Sequence, residues 1–89
     1  MINVKVSYYG LIPRVSGNQE EDIHLSGETT VEELLHLLAE RLGKGFRGSV
    51  LTVDGKLHPM AMIHLNGDDI TKINGLETRL ENNSEMSIT

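Results

Sequence analysis

The four histidines, at positions 24, 36, 58 and 64, are the side chains best suited to holding a metal, since neutral imidazole is a common ligand. Their spacing does not suit a helical pair. Alternation turns His24 and His64 outward from strands, His36 falls on a polar helix face and His58 in a loop, so surface histidines are expected and no metal. Asp68 and Asp69 follow Asn66-Gly67, but the alternating oxygen ligands and closing Glu of a calcium loop are missing, and a solvated turn is expected. Gly43-Lys44-Gly45-Phe46-Arg47-Gly48 matches neither glycine-rich phosphate-binding spacing and is read as loop. Ser16, Ser26, Ser49, Ser84 and Ser87 lack the context of a nucleophile, with no base and orienting acid near them. Zero cysteines remove disulfides, thiolate zinc sites and cysteine nucleophiles together, which fits a reducing compartment. The expectation is no catalytic residue and no cofactor.

Composition narrows the class further. The 89 residues fit one domain, residues 1–89, with 38% hydrophobic and 24% charged residues as in an ordinary globular protein. A net charge of -5 argues against nucleic acid, whose phosphates need clustered Lys and Arg, and makes basic partners the natural ones. Apolar runs are far shorter than the ~20 residues of a membrane span, and a cytoplasmic location is expected.

Several elements can be read directly. Ile2, Val4, Val6 and Tyr8 alternate with Asn3, Lys5, Ser7 and Tyr9, a strand with one buried face. Gly10 and Pro13 break it, Gly17-Asn18 offers a turn, and Glu21, Ile23 and Leu25 alternate with Asp22 and His24 in a second strand. Thr30 with Glu33 forms a capping-box signature, and Val31, Leu34, Leu35, Leu38 and Leu42 recur at helical spacing, giving an amphipathic helix over 31–42 stopped by Gly43. Residues 44–59 read as loop plus one short strand at Val50-Leu51-Thr52-Val53. A strand over 60–65 meets the hairpin turn Asn66-Gly67, and Ile73, Leu76 and Leu80 punctuate a polar connection. Asn82-Asn83 turns the chain into a last strand carrying Met86 and Ile88.

Strand, strand, helix, loop, strand, strand resembles an α+β, ubiquitin-like β-grasp: a mixed four- to five-stranded sheet with one main helix (31–42) packed on one face. The opposite face then lacks a covering helix. By alternation Tyr9, Met62 and His64 project there, with Met60, Ser87 and Thr89 as further candidates, and exposed Met and Tyr are adaptable contact groups. The expected partner-binding residues are therefore Tyr9, Met62 and His64, with Ile88 and Thr89 leading the chain onward.

Nearly the whole chain, from Val4 to Thr89, resembles the sulfur carriers of the molybdopterin synthase small subunit and thiamine sulfur carrier group, the former more closely. Val6-Ser7-Tyr8-Tyr9-Gly10-Leu11-Ile12-Pro13-Arg14-Val15-Ser16-Gly17 is similar to the family's opening strand and following loop. Thr29-Thr30-Val31-Glu32-Glu33-Leu34-Leu35 is similar to its helix start, and Ile63-His64-Leu65-Asn66-Gly67-Asp68-Asp69-Ile70 to its hydrophobic strand and asparagine turn. Leu76-Glu77-Thr78-Arg79-Leu80-Glu81-Asn82-Asn83-Ser84-Glu85-Met86 resembles its closing leucine and acidic-turn segment. Order and spacing carry the resemblance more than any one motif.

The resemblance implies a carrier without catalytic residues, serving molybdenum cofactor biosynthesis. Its C-terminal Gly-Gly carboxylate would be adenylated by an activating enzyme, converted to a thiocarboxylate, and presented to the large catalytic subunit of molybdopterin synthase or a similar enzyme. Glycines suit such a tail because they thread a narrow channel at whatever φ and ψ it demands. The 89 residues stop at Ser87-Ile88-Thr89, before any Gly-Gly, and as given carry no sulfur-bearing terminus. Two expectations compete: a carrier whose tail has been removed, which is favoured, or a tail-less β-grasp adaptor that binds a larger enzyme without sulfur transfer. A lysine-conjugated modifier shares the tail requirement of the first.

Overall fold

The computed structural model describes residues 1–10, 12, 14, 17 and 19–89. Pro13 as a strand breaker, the Asn18 half of the expected turn, and Leu11, Val15 and Ser16 of the opening motif lie outside these residues. Strand β1 (Ile2–Tyr8) pairs antiparallel with β2 (Glu20–Leu25), and helix α1 (Val31–Leu42) follows. A second helix, α2 (Lys44–Val50), leads to β3 (Ile63–Leu65), β4 (Asp68–Asp69) and β5 (Ser84–Ile88). The sheet order is β2-β1-β5-β3-β4, with β1 and β5 parallel and the other pairs antiparallel. First and last strands thus lie side by side in a mixed sheet, as the element order implies.

One sheet face supplies Val4, Val6, Tyr8, Ile23, Leu25, Ile63, Leu65, Met86 and Ile88 to the core. Helix α1 covers it with Val31, Leu34, Leu35, Leu38 and Ala39, all buried, and each fully buried Leu contributes about 1.5–3 kcal/mol relative to exposure. Its start is as the sequence indicates. Glu33 N–H donates to Thr30 Oγ1 at 3.2 Å, and Thr30 N–H donates back to Glu33 Oε1 at 3.0 Å. Gly43, at φ 97, ends α1 and begins α2, a conformation that costs a glycine little.

Two expectations about residues 44–59 are corrected here. Residues 44–50 are helix rather than loop, although Gly45 and Gly48 each cost such a helix roughly 1 kcal/mol relative to Ala. Phe46 and Val50, one turn apart and both fully buried, hold it, with the Phe46 ring edge-on to Tyr8 at a centroid distance of 6.2 Å. In place of a strand at 50–53, Val50 closes α2 and only Leu51 bridges, to Leu57. The strand expected over 60–65 is likewise shorter, because Ala61 N–H is drawn into a turn on His58 O at 2.9 Å.

The Asn66-Gly67 hairpin forms as expected, with both residues at positive φ (52 and 90). Asn83, at φ 66, turns the chain into β5. The connection between β4 and β5 carries 3₁₀ turns at Ile70–Lys72 and Gly75–Glu77 and anchors Ile70, Thr78 and Leu80 in the interior, while Ile73 stays exposed.

Candidate functional site

The uncovered sheet face is built in rows that the register defines. Asp22, Lys5 and Glu85 stand opposite one another across β2, β1 and β5. The next row is Glu20, Ser7, Ser87, His64 and Asp69, spanning all the strands. Beyond it the sheet continues through backbone bonds alone: Tyr9 N–H donates to Ile88 O at 2.8 Å, and Met62 and Thr89 exchange two hydrogen bonds at 2.9 and 3.0 Å. Tyr9, Thr89 and Met62 therefore form a final row, with Tyr9 56% and Met62 49% exposed. Two large apolar side chains thus flank the place where β5 leaves the sheet.

A second surface borders the same place from the helical side. Gly10, Ile12, Ser49, His58, Met60 and Thr89 line a mainly apolar groove of about 340 Å³. Gly10 sits at φ 66, and a Cβ there would lie 3.6 Å from Thr89 Cγ2, ordinary contact, so it is the backbone twist that calls for glycine. His58 Nδ1 accepts from Met60 N–H at 3.1 Å, which leaves the proton of a neutral ring on Nε2. Met60 is 83% exposed at the rim.

Just beneath the Tyr9 row, the Tyr8 phenol donates to Glu21 Oε1 at 2.6 Å, and Arg41 of α1 pairs with the same oxygen. Burial, reinforced by the Glu21 carboxylate, pushes the Tyr8 hydroxyl well above the usual phenol range. This contact ties β1, β2 and α1 together behind the exposed face, so its role is positional. Asp69 is held below the usual carboxylate range chiefly by the backbone N–H of Thr71, which it accepts at 2.9 Å.

Of the five expected contact residues, the fold brings Tyr9, Met62 and Thr89 into one row. His64 lies one row in, half-buried between Ser87 and Asp69. Ile88 is fully buried in the core and touches no surface, so its part is corrected to anchoring β5. Ser49 and His58 join the site through α2 and the turn after it, and Ile12 through the turn after β1, where its N–H donates to Tyr9 O at 3.2 Å; periodicity reveals none of the three. Met60 shares its parity with Met62, and that signal is in the sequence. His24, His36, His58 and His64 stay apart, and among the described residues no three His, Asp or Glu side chains gather as a metal site.

Parallel β1 and β5 at the centre of a five-stranded mixed sheet, helices on one face and an open opposite face, define a ubiquitin-like β-grasp protein. The chain belongs to the ThiS family, whose model matches residues 6–88. It is 35% identical over 68 residues to a candidate sulfur carrier protein of Archaeoglobus fulgidus, spanning 75% of this chain and 76% of the relative. Small archaeal modifier protein 1 from Methanosarcina acetivorans is similar at a TM-score of 0.78 and 27% identity, covering 99% of this chain and 91% of that one. A candidate molybdopterin converting factor subunit 1 from Pyrococcus furiosus has the same fold at a TM-score of 0.77 and 21% identity, covering 99% and 95%.

Proposed function

We propose that this protein is a sulfur carrier that docks, through the Tyr9, Thr89 and Met62 row and the adjoining Met60 groove, on an adenylating enzyme. The same row then serves a larger catalytic subunit such as that of molybdopterin synthase. The observation that carries the reading is the exit of β5 from the centre of the sheet between exposed apolar side chains. A partner that covers Tyr9 and Met62 encloses the point from which a Gly-Gly segment would extend, and excludes water from the carboxylate that reacts. The chain contributes docking and presentation, and the partner contributes the chemistry: adenylation of the carboxylate, then replacement of AMP by sulfur from a donor. Molybdopterin synthesis is the destination that the sequence resemblance implies.

The test is the intact mass of the protein purified from its native source, before and after incubation with the adenylating enzyme, ATP and a sulfur donor. A Gly-Gly terminus and a gain of one sulfur-for-oxygen difference are expected. A native mass without that terminus, unchanged on incubation, overturns sulfur transfer and leaves the binding-only adaptor. The 27% identity to a small archaeal modifier favours one second reading, conjugation to lysines of other proteins. Isopeptide-linked adducts in the native source, with no thiocarboxylate, select it.

A further inference from the structure

We propose that the open sheet face selects a partner surface that is apolar opposite Tyr9 and Met62 and basic, rich in Arg and Lys, opposite the two rows behind them. This rests on the docking reading above and adds the chemistry of the partner. Those rows hold four carboxylates, Glu20, Asp22, Asp69 and Glu85, against one lysine, Lys5, with His64 and the flanking Lys72 acting on Asp69 alone. Lys5 is already engaged by Glu20 at 3.5 Å. Among the described residues the other ion pairs, Arg41 with Glu21 and Arg79 with Glu28, involve neither Asp22 nor Glu85. Both are exposed.

Arg41, Lys44 and Arg47, on α1 and α2, and Lys56, in the hairpin-like loop after α2, lie away from these rows. At the centre of the row next to the apolar one, Ser7 and Ser87 are small and half-buried. They floor a depression of about 210 Å³ bounded by Tyr9, Gly67 and Glu85. A guanidinium or ammonium entering it lies beside the Tyr9 ring and within reach of Glu85, the combination that favours a cation. Apolar contact at one end and a one-signed field across the rest fix orientation as well as affinity, and like-charged surfaces are rejected.

The experiment measures association of the full-length native chain with its cognate adenylating enzyme by stopped flow at about 0.05 M and about 0.5 M salt, where screening differs severalfold. Three variants are compared with wild type: Asp22→Lys with Glu85→Lys on the sheet, Glu32→Lys with Glu40→Lys on α1, and the neutral pair Asp22→Asn with Glu85→Gln. The sheet reversal is expected to slow low-salt association at least about tenfold and flatten its salt dependence. The neutral pair should produce an intermediate loss, and the α1 pair, with the same change in net charge, little. Equal slowing by the sheet and α1 pairs, or wild-type association that ignores salt, overturns the basic-partner inference while docking stands. A wild-type chain that does not bind the enzyme at either salt overturns the docking reading itself.

Discussion

Replacing Met62 by Asp separates docking from folding because Met62 lies on the face away from the helices. It is 49% exposed, and its backbone pairs with Thr89. Covering a whole methionine is worth about 1.5–3 kcal/mol, so covering its exposed half contributes about 1 kcal/mol to a complex. A carboxylate pressed against an apolar partner surface adds a desolvation penalty of about 1–3 kcal/mol. The sum, about 2–4 kcal/mol, raises Kd for the adenylating enzyme about 30- to 700-fold. Met62→Ala loses only the first contribution, an increase in Kd of about fivefold. Folding should hardly respond, since a surface substitution on an edge-like segment costs less than about 1 kcal/mol. Isothermal titration reads the first quantity and a thermal melt the second. A Met62→Asp protein that binds like wild type, or that has lost its cooperative melt, refutes the placement of Met62 in the contact.

Further outcomes follow from the interior. Tyr8 stays protonated in the fold above the pH at which a free phenol ionises, so stability is full below about pH 10 and falls above it by up to about 1.4 kcal/mol per pH unit; Tyr8→Phe should remove that slope in urea titrations at alkaline pH. Phe46→Ala empties a fully buried site shared with Tyr8 and should cost about 3–5 kcal/mol, lowering Tm by at least about 12 °C in calorimetry. Thr30→Ala opens the capping box at a cost of about 1 kcal/mol, readable as a lower urea midpoint with unchanged slope. Gly67→Ala forces a side chain to φ 90 and should cost roughly 1–2 kcal/mol by the same measurement.

Elements whose local signals and tertiary packing agree were readable from the residues. The alternation in β1, the capping box and leucine stripe of α1, and the Asn66-Gly67 turn each state their own conformation. Helix α2 does not, because its glycines argue locally for a loop, and only the burial of Phe46 against Tyr8 reverses them. The consequence reaches the site: Tyr9 and Met62 follow from strand parity, whereas Ser49 and His58 reach Thr89 only because α2 and its following turn bring them there. Glu21 shows the opposite case. It shares the inward parity of Ile23 and Leu25, a carboxylate on a core-facing position, and the structure supplies the Tyr8 and Arg41 that account for it. Strand parity alone could not show that Ile88 is buried past any contact, since facing inward and being covered are different facts.

The pairing of Val4 with Ser84 and of Tyr8 with Ile88 joins residues from opposite extremes of the sequence at the centre of the sheet. β5 alone joins β2-β1 to β3-β4 within the sheet, and closing so long a separation carries a large entropic cost. The row of Tyr9, Thr89 and Met62 does not exist before β5 has paired. A partner that recognises that row would engage only chains whose β5 has closed the sheet.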